Sequence, residues 1–136
     1  MATSQIIYTG ELRTEATHLK SGTTIITDAP TDNQGKGEAF SPSDLVATAL
    51  GSCMMTIMGI YAQRENIDLK DTKMDITKVM TAELPRKIAT IIVDIYFPKN
   101  LNLSEKHQIS LKNAAHTCPV ALSLSSEIEQ NVRFFF

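Results

Sequence analysis

The sequence predicts an α+β fold. Three observations carry that reading. The first third holds short alternating or β-branched runs, a long apolar helix with a marked start follows at 41–66, and strand-like runs then give way to helix signals and a closing aromatic run. The resulting order is strands, helix, strands, helices, strand. It is mixed rather than a repeating βαβ unit, and it places 136 residues in one domain, 1–136.

The first strand read from the sequence is "ELRTEATHL", where Leu12, Thr14, Ala16 and His18 alternate with Glu11, Arg13, Glu15 and Thr17. "SG" at 21–22 is a turn, and "TTIIT" at 23–27 is a β-branched strand. A polar loop, "DAPTDNQGKGE", follows and is rich in turn-forming residues.

The next run, "SPSDLVATALGSCMMTIMGIYAQREN", predicts a helix ending near Asn66. Ser41 is placed as N-cap, Pro42 at the first helical position, and Asp44 closes a capping-box-like start. Its expected apolar stripe is Val46, Leu50, Cys53, Ile57 and Ile60. The run is apolar nearly all round from Leu45 to Ile60, which predicts a central helix covered on more than one side.

"KMDITKVMTAEL" and "IATIIVDIYF" read as a hairpin turning at "PRK", with Ile91, Val93, Ile95 and Phe97 inward on the second strand. "LSEKHQISLKNAAH" is a helix capped by Ser104. "CPVALSLSSEIE" is a short helix with Pro119 first, and "NVRFFF" closes the fold as a strand.

Hydrophobic residues make up 43% of the chain and charged residues 21%, enough to build a core without disulfides. The net charge of −2 and the absence of a Lys/Arg run argue against nucleic acid as a partner. No uninterrupted apolar stretch approaches the ~18 residues of a membrane span, so no membrane association is expected. The N-terminus lacks a signal-peptide pattern. The expected location is cytoplasmic, where thiols stay reduced. Two cysteines there point to redox chemistry or to nothing, and less to a structural staple.

Cys53 lies mid-helix on the apolar stripe. It is either a small core residue or a thiolate that needs an outside partner such as an arginine. Cys118 directly precedes Pro119, where unpaired backbone N–H groups favour a thiolate, so on intrinsic chemistry it is the more acidic of the two. Arg13 is either a solvated strand residue or a guanidinium turned toward a thiolate or a peroxide oxygen, a task suited to its permanent charge and planar donor fork. His18, His107 and His116 have no metal-site spacing, there is no Cys-x-x-Cys, and "GKGE" is not a phosphate loop. No metal or other cofactor is expected. A Cys118–His116 dyad is the least favoured chemistry, because neighbours two apart point different ways on most backbones.

"FSPSDLVATALGSCMMTIM" and "AAHTCPVALSL" together resemble the OsmC/Ohr family, the osmotically inducible protein C and organic hydroperoxide resistance group. Cys53 lies eleven residues after the helix proline Pro42, and the Cys118-Pro119 step follows 65 residues later. The resemblance covers essentially the whole chain. It implies an OsmC-like fold with antiparallel sheets around a long central helix, in an intertwined homodimer whose active sites each take both cysteines from one chain.

The resemblance further implies thiol-dependent reduction of organic hydroperoxides in oxidative stress defence, without metal or flavin. Cys53 matches the attacking cysteine and Cys118 the resolving one. Their disulfide is reduced by an external dithiol, small or protein-bound. Arg13 approximates the family's active-site arginine, and its charge outweighs a helix-dipole effect worth only ~0.3–1 kcal/mol at exposed sites. The hydroperoxide-resistance branch pairs that arginine with a glutamate directly after the helix proline, where this chain has Ser43. Glu38 and Asp44 are the candidate partners instead, although Asp44 faces about 100° away round the helix from Ser43. The chain therefore stands nearer the general OsmC-like branch. The alternative function is a binding protein that holds a small hydrophobic ligand and keeps redox-idle cysteines.

Overall fold

The computed structural model describes all 136 residues, which divide into two compact units, Met1–Val46 and Ala47–Phe136.

The first unit is built on a meander of three antiparallel strands, β1 (Ser4–Gly10), β2 (Arg13–His18) and β3 (Thr24–Asp28), in that order across the sheet. The β1–β2 connection turns through Gly10, Glu11 and Leu12, all with positive φ, so Leu12 belongs to the turn and not to the apolar face of a strand. The β2–β3 connection closes through a bond from His18 N–H to the Thr23 carbonyl at 2.8 Å, with Gly22 at φ 77°. The register then sets Arg13 opposite Asp28. The following loop folds back on the sheet: the Gly35 and Gly37 N–H groups donate to the Pro30 and Ala29 carbonyls, and the Asp28 N–H donates to the Phe40 carbonyl. Residue 35 must be glycine, because a Cβ there would sit 1.8 Å from the Ala29 carbonyl oxygen.

The long helix α1 (Pro42–Arg64) starts as the sequence predicts. The Asp44 N–H donates to Ser41 Oγ at 3.1 Å, and the Ser41 N–H donates back to Asp44 Oδ2 at 3.0 Å, a reciprocal capping box.

The second unit holds most of α1, a sheet of β4 (Lys73–Met80), β5 (Ile88–Tyr96) and β6 (Glu129–Phe135), and helices α2 (Glu105–His116) and α3 (Pro119–Ser123). β4 and β5 form the expected hairpin, but β6 runs parallel to β5, from Thr90↔Glu129 to Tyr96↔Phe135. The expectation of purely antiparallel sheets is corrected here. The chain between β5 and β6 contains both short helices, and a connection of that length permits the crossover that parallel pairing requires. Ile91, Val93 and Ile95 are fully buried and Phe97 nearly so, as the alternation predicts. They pack with Leu50, Met54 and Met58 of α1 and Leu111 and Ala115 of α2.

The buried face of α1 is not the expected stripe. Ala47, Leu50, Gly51, Met54, Met58 and Ala62 face inward, while Cys53 and Ile57 are half-buried and Val46 and Ile60 exposed. Gly51 marks the close approach, since a Cβ there would lie 2.5 Å from Ile76 Cδ1 on β4. The expectation about membrane length also needs revising. α1 spans 23 residues with a mean hydropathy of 1.7 over its best 18-residue window, enough by length and composition to cross a bilayer. A third of that window is buried inside the protein, so part of the apolar character serves the core.

Candidate active site

Cys53 and Cys118 both lie in the second unit and are brought together there. Cys118 is the N-cap of α3 and is fully buried; its Sγ accepts the Ala121 N–H at 3.4 Å. Cys53 sits in the fourth turn of α1, half-buried, against the core cluster that contains Cys118. Both are free thiols. Burial pushes the Cys118 thiol above its ordinary pKa, the Ala121 N–H opposes that shift, and the nearby Cys53 side chain adds to it through hydrogen bonding and charge. The helix start read from the sequence favours a Cys118 thiolate, but the desolvation that the fold imposes on this thiol is the larger effect.

A groove of about 400 Å³ opens between the end of α1 and α2, lined by Ile57, Ile60, Tyr61, Arg64, Asn113 and Thr117 among others. Ile57 is one helical turn beyond Cys53, and Thr117 immediately precedes Cys118. His116 turns its ring edge-on to Phe134, at 6.0 Å between centroids.

Arg13 lies in the first unit, at the start of β2. Its Nε donates to Asp28 Oδ1 at 2.6 Å and its Nη2 to Asp28 Oδ2 at 2.8 Å, a bidentate pair with a carboxylate whose side chain is 1% exposed. Nη2 also reaches Glu38 Oε1 at 3.2 Å, and the Glu38 N–H donates to Asp28 Oδ2 at 3.0 Å. The Asp28 bonds push the Arg13 pKa up, and Arg13 in turn holds the Asp28 carboxyl below the usual range despite its burial. Beside this cluster, Lys36 Nζ reaches Glu11 at 2.8 Å, tying the loop to the β1–β2 turn. Of the two carboxylates proposed for Arg13, Glu38 is at its guanidinium and Asp44 is engaged in the α1 capping box.

Asp28 was missed in the sequence, where it reads as the first residue of a polar loop. The signal was present in the hairpin arithmetic, because a β-turn centred between 18 and 23 sets residue 13 across from residue 28.

Two three-stranded sheets, three helices and a dithiol formed where α1 meets the start of α3 define the class: a small α+β protein with a paired-thiol site. The model of the OsmC-like protein family matches residues 35–133, and the chain belongs to that family. The fold superposes on the crystal structure of a protein from Psychrobacter arcticus, described provisionally as an osmotic stress induced and detoxification response protein. The two are 51% identical with a TM-score of 0.93, over 98% of this chain and 96% of that one. An organic hydroperoxide resistance protein OsmC from Legionella pneumophila shares the fold at 16% identity and a TM-score of 0.75, over 100% and 98% of the two chains. A Vibrio cholerae structure described provisionally as an organic hydroperoxide resistance protein, with captopril in one of its active sites, shares it at 14% identity and 0.73, over 98% and 92%. No curated protein matches the sequence significantly.

Proposed function

We propose that this protein reduces organic hydroperoxides through its two thiols, as a single OsmC-like domain acting in the cytoplasm in oxidative stress defence. The observation that carries the reading is the pairing of a half-buried Cys53 with a fully buried Cys118 in one unit. The more accessible thiol meets the substrate and the hidden one waits for it. The Cys53 thiolate attacks the terminal oxygen of the hydroperoxide. The S–O bond forms as the O–O bond breaks, and the departing alkoxide takes a proton to leave as an alcohol. Cys118 then attacks the sulfenic sulfur, the S–S bond forms, and the oxygen leaves as water. An external dithiol returns both cysteines to thiols by two exchange steps.

Arg13 stabilises the thiolate and orients the peroxide in this reading. The groove at the end of α1 favours an organic tail over hydrogen peroxide. The names given to the Legionella and Vibrio structures support the same reaction class. The active form is an intertwined homodimer, a reading supported by the apolar side chains exposed on the first unit, among them Ile6, Tyr8 and Ile25.

Stoichiometric cumene hydroperoxide should convert the two free thiols to one intramolecular disulfide, followed by thiol titration and non-reducing mass spectrometry. Cys53→Ser should abolish peroxide consumption. Cys118→Ser should still consume one equivalent and stop at a dimedone-trappable sulfenic acid. Two unreacted thiols after treatment would instead favour the binding protein for a small hydrophobic ligand.

A further inference from the structure

α3 is a single turn of five residues, and a helix that short does not hold by itself. Its start is held by the Cys118 side chain, whose Sγ accepts the Ala121 N–H at 3.4 Å. The Leu122 N–H donates to the Cys118 carbonyl at 3.1 Å, and Gln130 Nε2 on β6 donates to the Ala121 carbonyl at 2.9 Å. The sulfur that caps α3 is thus the sulfur that resolves a sulfenic acid on Cys53.

Both tasks cannot be done from one place. A disulfide brings two sulfurs to about 2.05 Å, so at least one of these free thiols must move to form it. Cys53 lies eleven residues from each end of α1, at Pro42 and Arg64, inside a continuous helix. Cys118 stands where α2 gives way to α3, and its N–H reaches the Ala115 carbonyl at 3.5 Å, a weak hydrogen bond. The softer attachment is at Cys118, so its Sγ is the one drawn off the Ala121 N–H.

We propose that α3 is a redox-sensitive latch, closed while the Cys118 thiol caps it and released when Cys118 is joined to Cys53. The proposal rests on the reading that the two cysteines form a disulfide. In that step the two thiols give up two electrons and two protons, and the hydroperoxide leaves as an alcohol and water. Release has a use, because Cys118 is fully buried in the dithiol form and a reductant must reach a disulfide sulfur to attack it. Closure has a driving force as well. Ala121 belongs to the core, and Val120 and Leu124 pack against it, so a loosened α3 is drawn shut once Cys118 is again a thiol.

The experiment is amide hydrogen exchange, read residue by residue by NMR, on the reduced protein and after one equivalent of cumene hydroperoxide, with the disulfide verified by intact mass. Ala121, Leu122 and Leu124 should exchange about tenfold faster in the disulfide form, while Ile91, Val93 and Ile95 of β5 stay unchanged. Cys118→Ala, which has no cap to release, should show the fast rates before peroxide is added. Cys118→Ser, whose hydroxyl caps but forms no disulfide, should keep the slow rates before and after.

Equal α3 rates in the dithiol and disulfide forms overturn the latch, and so do slow rates in Cys118→Ala. Where the β5 amides show Cys118→Ala unfolded, the two wild-type forms decide. Acceleration that extends to β5 in the disulfide form overturns the latch too, since that is loss of the fold and not release of one turn. If intact mass shows no disulfide, the peroxidase reading fails and the latch with it. A disulfide that forms with α3 unmoved defeats only the latch.

Discussion

Asp28 is a carboxylate buried to 1% exposure that stays ionised because three donors converge on it. Its pKa is depressed in the folded protein, chiefly by the Arg13 hydrogen bonds. A depressed carboxylate contributes stability that is complete above its unfolded pKa of about 3.9 and is lost as pH falls through the lower folded value. The melting temperature should therefore fall below about pH 4. In Asp28→Asn it should be lower near neutrality and fall less steeply in acid. Parallel acid limbs in a calorimetric pH series would remove Asp28 from the account. At this scale the sequence was half-readable. Cys53, Cys118 and Arg13 announce themselves by residue type and by their distance from prolines and turns. Asp28 does not, because its importance comes from cross-strand register, and nothing in the composition of a polar loop separates a buried acid from its solvated neighbours. The upward push on the Cys118 thiol was not legible for a related reason: a helix start can be read from Pro119, whereas desolvation depends on residues far along the chain.

Helix starts followed local chemistry closely, whereas α3 ends at Ser123, well short of the expected "CPVALSLSSEIE" run. The capping box at Ser41 and Asp44, the Ser104 cap that accepts the His107 N–H, and Pro119 opening α3 were all readable, because each is satisfied within four residues. The orientation of α1 was not. A helix apolar on nearly every side offers a plausible i, i+3, i+4 stripe in more than one direction, and periodicity cannot choose among them. Gly51 makes the choice, being small enough to let the helix approach β4 at Ile76 and Met74. Gly51→Val would drive a branched side chain into that contact, and a destabilisation of about 1–3 kcal/mol is expected from overpacking. Urea unfolding should register it as a lower midpoint at unchanged slope. An unchanged midpoint would mean that α1 and β4 separate at little cost.

At the scale of the whole molecule, the two units differ in what they bury. The second encloses a continuous core of aliphatic residues from α1, β5 and α2. In the first, Ile6 is 64% exposed, Tyr8 63% and Ile25 48%. The strand register places all three on one face of the sheet, in the rows Ile6–Ala16–Ile25 and Tyr8–Thr14–Thr27. Contiguous apolar surface of this kind marks an interaction site. Sedimentation equilibrium should give twice the 15.0 kDa chain mass, and Ile6→Glu combined with Ile25→Glu should return it to the single-chain value. A monomeric parent protein at micromolar concentration would rule out the homodimer. The α+β class and the order of elements from β2 onward were readable at this scale, because they depend on the succession of local signals, whereas β1 (Ser4–Gly10) was not read as a strand. The parallel sense of β6 was not, because it is decided by the path of the chain through two intervening helices.

That parallel strand has a consequence for the order of folding. The meander β1–β2–β3 pairs residues close in sequence and can zip up as soon as it is made. β5 must wait for a partner 39 positions further on, as in Thr90↔Glu129, with α2 and α3 laid down in between. A chain halted at Ser123 carries β5 with one ladder unmade. Its open edge holds the β-branched run Ile91–Ile92–Val93, a template for pairing with other chains during synthesis.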